Sequence, residues 1–228
     1  YPLSKGILIE EKLKKNQKLL FSEMSAECIW QNGKIIFFNC VDRIFPRDIK
    51  NLSSKKYQNL KNFLTDNNGF EIGHINPSTL NSRAIKDIKK LIFIVGSKLG
   101  YGRLKGCHVL KLDIFFSEKG PVILEMTPRL SGGYDSTGSS FERGFNLTKA
   151  ITKVALNSKF NRKEINLYLK PKNKFSFLVL SKYSGNKRNF FMSKINKSFN
   201  FSVNDILNKI EKSRNILYEQ KKNFATKS

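Results

Sequence analysis

Cysteine and histidine are scarce, with three cysteines and two histidines in 228 residues. Cys28, Cys40 and Cys107 form an odd, widely spaced set without a Cys-x-x-Cys pair. Such a set gives no disulfide framework, and two dispersed histidines argue against a Cys/His zinc site. Free, mostly buried thiols in a reducing, cytoplasmic setting are the expectation. Long apolar runs are also missing, since none approaches the roughly 20 residues that span a bilayer, and no membrane partner is expected. The chain opens on Tyr1-Pro-Leu-Ser-Lys-Gly, with neither a Met nor a signal peptide, which suggests a fragment or a processed form. Acidic residues are outnumbered, 18 against 42 Lys and Arg, for a net charge of +24. Taken alone, that excess points to an anionic partner such as nucleic acid. However, Lys greatly outnumbers Arg, and Asn, Ile and Phe are abundant, as AT-rich coding favours. The lysines are also dispersed, which argues against specific nucleic-acid binding.

What is present suits a soluble globular protein with a real core, since 39% of the residues are hydrophobic. The most informative stretch is Gly106 to Gly133. Two runs rich in branched and aromatic residues flank the polar signal Ser117-Glu-Lys-Gly120, so they read as a β-hairpin. A loop of Glu118 to Gly120 pairs Ser117 with Pro121, Phe115 with Ile123 and Asp113 with Glu125. Alternation then puts Thr127 and Arg129 on the side of Glu125. Two facing carboxylates repel, by about 0.2–1 kcal/mol. A hard divalent cation between them offsets that, and Mg2+ typically takes one or two protein carboxylates. The residues alone leave open a plain exposed hairpin in which Lys111 neutralises Asp113. A loop register one residue different would move Asp113 to the other face.

Asp113 followed by Glu125-Met-Thr-Pro-Arg-Leu-Ser-Gly-Gly133 resembles the metal- and phosphate-binding segment of ATP-grasp carboxylate ligases. In that superfamily an acidic residue on one strand precedes Glu-x-Asn-x-Arg on the next. The resemblance implies that Asp113, Glu125 and Thr127 hold Mg2+, or Mn2+ in its place, with Thr127 standing where Asn is usual. It implies that Arg129 faces an acyl phosphate. Ser131, Gly132 and Gly133 follow as a small-residue stretch for close backbone approach to a ligand.

The resemblance extends in both directions. Ile7 to Leu13 reads as a short strand, whose edge offers unpaired backbone donors and acceptors. The resemblance puts Glu10, Glu11 and Leu13 beside adenine. In Glu23-Met-Ser-Ala-Glu27, Glu23 matches a ribose ligand and Glu27 is a weaker candidate. Asn32-Gly33 between two β-rich runs is a strong hairpin signal. Phe70 to Ser78 matches a Glu-x-Gly-His-x-x-Pro-Ser segment entering the substrate pocket. There His74 would orient a substrate carboxylate or shuttle a proton.

Ser82 to Leu99 reads as an amphipathic helix with Ile85, Ile88, Leu91, Ile92, Val95 and Leu99 on its apolar side, capped by Ser82 and ended by Gly100. A second helix is expected over Asn146 to Leu156, with Leu147, Ile151, Val154 and Ala155 inward. Short helical stretches are expected near Tyr57 and from Ser202. The expected fold is α+β, a mostly antiparallel sheet with packed helices. Residues 1–158 would form an ATP-grasp second lobe, and residues 159–228 a small α+β appendage with a basic tail. The resemblance covers Ile7 to Leu156 only, so a longer ligase or a truncated relative is implied. The implied partners are ATP, a small-molecule carboxylate and a nucleophile. A non-catalytic nucleotide- or anion-binding module and a basic nucleic-acid binder are the alternatives, and the sequence does not indicate an oligomeric state.

Overall fold

The computed structural model describes residues 10–45, 48, 71–131, 146–156, 175–184, 187–196 and 208. Seven strands form one antiparallel sheet in the order β5-β4-β1-β2-β3-β6-β7. They are β1 (Glu23–Gln31), β2 (Lys34–Ile44), β3 (Gly73–Asn76), β4 (Cys107–Ser117), β5 (Gly120–Thr127), β6 (Phe175–Ser184) and β7 (Lys187–Asn196). Two helices accompany it, α1 (Ser82–Lys98) and α2 (Leu147–Ala155). The fold is α+β, as expected. The boundary expected near residue 158 does not interrupt the sheet, because β6 pairs with β3. No helix among the described residues is long and apolar enough to cross a membrane.

The β1–β2 turn forms on Asn32 and Gly33, whose φ values of 47° and 79° are the paired positive angles of a type I′ turn. Strict alternation along β1 then decides which side is core. Met24, Ala26, Cys28 and Trp30 face α1, joined by Cys40, Leu110, Leu112, Ile114 and Phe116. Each fully buried Leu or Ile there contributes about 1.5–3 kcal/mol. Ala84, Ile88, Ile92 and Gly96 are the buried line of α1. The helix cap is Asn81, whose side chain accepts from Ala84 N at 2.9 Å, and not the expected Ser82 one residue later. Leu99 follows the helix and is exposed, because Gly100 turns the chain away at φ 85°.

On the opposite side of the sheet, α2 covers one end. Leu147, Ala150 and Val154 pack on Ile29 and Phe37, with Ile151 at the margin. Ala155, expected inward, is exposed, and Ala150 takes the inner place. The rest of that side is mostly polar, with Val41 and Val179 buried among the polar residues. Stretches 57–64 and 202 onward, apart from Asn208, lie outside the described residues, and residues 10–14 have no regular structure.

The β4–β5 hairpin departs from expectation in an instructive way. Its loop is two residues, Glu118 and Lys119, so Ser117 pairs with Gly120 and Phe115 with Val122. Left uncorrected, that shift would turn Glu125 away from Asp113. A bulge at Leu124 adds one residue to β5, and Asp113 pairs with Glu125 after all.

Candidate active site

The polar side of the sheet gathers charged residues from four strands. Glu23, Ser25 and Glu27 on β1 lie between Arg43 and Asn39 on β2 and Asp113 and Lys111 on β4. His74 on β3 sits opposite Arg43. Of these, all but Arg43 are buried. Buried charge is tolerated only when paired and hydrogen-bonded, and the pairing here is dense. Arg43 Nε donates to Glu71 Oε2 at 2.8 Å, while its Nη1 lies 3.4 Å from Glu23 Oε2 and 3.2 Å from Asp113 Oδ2. The guanidinium also rests over the Phe45 ring, 5.0 Å from the centroid. Its planar fork suits such shared contacts as a lysine would not. His74 Nδ1 stands 3.8 Å from Glu71 Oε1.

Asp113 and Glu125 occupy facing positions on adjacent strands, where Cβ atoms lie about 4.5–5.5 Å apart. Glu125 is exposed and Asp113 is buried. Lys111 Nζ donates to Asp113 Oδ2 at 2.7 Å. The other oxygen, Oδ1, is buried without a hydrogen-bond partner, and so is Thr127 Oγ1 on the residue opposite Lys111. A buried polar atom left unsatisfied costs about 1–3 kcal/mol. These two oxygens, together with the facing Glu125 carboxylate, fit a hard cation that takes its other ligands from water and phosphate. Among the described residues, no group of three or more His, Cys, Asp or Glu side chains could hold a metal by itself.

The other expected site residues fall as follows. Arg129, just beyond β5, is exposed, and its Nη1 donates to the Leu130 carbonyl at 3.0 Å. Ser131 is buried, its N–H donates to Glu27 Oε1, and its hydroxyl lies 3.2 Å from that of Ser25. This ties the chain just after β5 to the centre of β1. Gly132 and Gly133 lie outside the described residues. Glu10 and Glu11 are exposed and Leu13 is half-buried. Just after them, Lys14 O accepts from Glu118 N and Asn16 N donates to Phe116 O, each at 3.2 Å, so the segment runs beside the turn of the β4–β5 hairpin. Sequence reasoning missed Arg43, whose partners lie 20, 28 and 70 residues away in the chain. No local pattern reports such spacing.

No protein-family model and no curated protein sequence matches the chain. Several solved structures do. Phosphoribosylglycinamide synthetase from Anaerococcus prevotii matches 73% of this chain and 36% of its own, at 14% identity and a TM-score of 0.48. L-amino acid ligase from Bacillus licheniformis matches 72% and 36%, at 16% identity and a TM-score of 0.46. N5-carboxyaminoimidazole ribonucleotide synthetase from Thermus thermophilus matches 70% and 35%, at 12% identity and a TM-score of 0.46. The matched part is little more than a third of each of those proteins. The chain's likeness to these three proteins is one of fold alone.

Proposed function

We propose that the chain is the metal- and phosphate-binding part of an ATP- and Mg2+-dependent ligase that activates a carboxylate as an acyl phosphate for attack by an amine or a similar nucleophile. The observation that carries this is the Asp113–Glu125 pair, held in register by the Leu124 bulge, with Asp113 Oδ1 and Thr127 Oγ1 buried and unpartnered beside it. Asp113, Glu125 and Thr127 would hold the cation. Bound there, Mg2+ would supply charge neutralisation for the transferring phosphoryl group.

The chain's own residues position and neutralise. Arg129, which donates to the Leu130 carbonyl, would face the acyl phosphate and the later oxyanion. Glu23 accepts from the ribose hydroxyls, and Glu10, Glu11 and Leu13 flank adenine. His74, 3.8 Å from Glu71 Oε1, would orient the substrate carboxylate. Ser131, fastened to Glu27, fixes the end of the described segment that follows β5.

The test is nucleotide-dependent ADP release with Glu125→Gln. Formation of ADP is expected to fall by about 10²–10³-fold, the usual loss for one transition-state contact. The thermal midpoint should hardly move, because Glu125 is exposed. Unchanged turnover removes the metal assignment. Binding of ATP with Mg2+ but without ADP release would make the chain a non-catalytic nucleotide-binding module.

A further inference from the structure

Asp113 presents its two oxygens to different surroundings. Oδ2 receives two cations, Lys111 Nζ at 2.7 Å and Arg43 Nη1 at 3.2 Å. Oδ1 is buried with no partner, as is Thr127 Oγ1 in the register position facing Lys111. Lys111 is itself buried, at 8% exposure. Placing an ammonium there has a large desolvation cost, and a well-packed apolar side chain often serves stability as well or better. Packing therefore does not explain the choice of lysine. Its charge does have a consequence. Arg43 is shared with Glu23 and Glu71, whereas Lys111 makes its ion pair with Asp113. A divalent cation approaching Oδ1 meets a carboxylate already offset by a fixed ammonium two positions away on the same strand face. Polyphosphate oxygens arriving with the cation restore the missing negative charge.

We propose that Lys111 makes divalent-cation binding at the Asp113–Glu125 pair dependent on nucleotide, by acting as the internal counter-ion of Asp113. This rests on the assignment of that pair to a cation under the proposed function. Lys111 is a tuning residue and not a ligand, so a charge-conserving change should differ from a neutralising one.

The experiment titrates the full chain with Mn2+ in the absence of nucleotide, reading free Mn2+ by electron paramagnetic resonance, and repeats it with ATP. Wild-type protein should bind Mn2+ weakly alone and strongly with ATP. Lys111→Gln should bind Mn2+ alone at least about tenfold more tightly, since one unit charge near the ion is removed. Lys111→Met should do the same, and it serves if the Gln variant unfolds. Lys111→Arg should stay within about twofold of wild type, because the charge is retained. Adding Asp113→Asn to Lys111→Gln should erase the gain. If wild-type protein binds Mn2+ with ATP but neutralising Lys111 leaves the affinity for Mn2+ alone unchanged, the role of Lys111 is refuted and the cation site survives. If no variant binds Mn2+ under either condition, both fall.

Discussion

Gly96 offers a test whose sign depends on the packing of α1. By helix propensity alone, Gly96→Ala in a helix interior gains about 1 kcal/mol. The structure reverses this. A Cβ at Gly96 would lie 2.4 Å from Trp30 Cζ2, 2.8 Å from Cε2 and 3.1 Å from Nε1. Favourable carbon contacts lie near 3.5–4.0 Å, so the ring or the helix must move by about an ångström. Trp30 has little room, because it is fully buried, stacks on Phe93 at 5.9 Å, meets Tyr101 edge-on and donates from Nε1 to Cys28 Sγ. Overpacking of this kind costs about 1–3 kcal/mol, and the upper end applies to an enclosed ring. After the propensity gain, a net loss of about 2 kcal/mol remains. With a urea m-value of about 2 kcal/mol per molar, the midpoint should fall by about 1 M with the slope unchanged. Trp30 is the sole tryptophan, so its emission reports the displacement directly. An unchanged or higher midpoint with an unshifted emission maximum would show that α1 does not seat its glycine on the indole.

Asn81→Ala should lower stability by about 0.5–2 kcal/mol through loss of the cap to Ala84 N, while Ser82→Ala should be nearly neutral; chemical denaturation of both separates the two positions. Burial pushes the Cys28 thiol up to about 12, and raises those of Cys40 and Cys107, from an ordinary 9.0. Iodoacetamide at pH 8 should therefore modify Cys107 first in the native chain and spare the two buried thiols, as mass spectrometry would read out. Because these folded-state values are raised, their contribution to stability is intact below pH 9. It is lost as pH climbs from 9 toward 12 and beyond, where unfolding releases the thiolates into water.

Much of the fold is legible because the deciding signals are local. Asn32-Gly33 alone sets a type I′ turn, and one-by-one alternation through Glu23, Ser25 and Glu27 assigns each side of β1. The facing of Asp113 and Glu125 is also reached from sequence, but through a three-residue loop where the chain uses two residues and a bulge. Two offsets of one residue cancel, and parity survives while the turn does not. Lys111 is readable as a neighbour of Asp113 from a spacing of two along a strand, and the contact forms. Helix ends are less legible, since Asn81 and Ser82 are both competent caps and only the backbone geometry selects one. Arg43 carries no local mark at all. Its significance comes from three carboxylates delivered by separate parts of the chain. The continuation of the sheet into β6 and β7 likewise depends on a tertiary pairing across about a hundred residues.

The sheet ends at β5, whose only strand partner among the described residues is β4. Asp113, Lys111 and Glu23 sit on strands flanked on both sides, whereas Glu125 and Thr127 ride on the border strand. Border strands open at lower free energy than interior ones. Any ion shared by Asp113 and Glu125 would therefore act as a stitch along the hem, slowing amide exchange in β5 well before it altered the protection of β1 or β2.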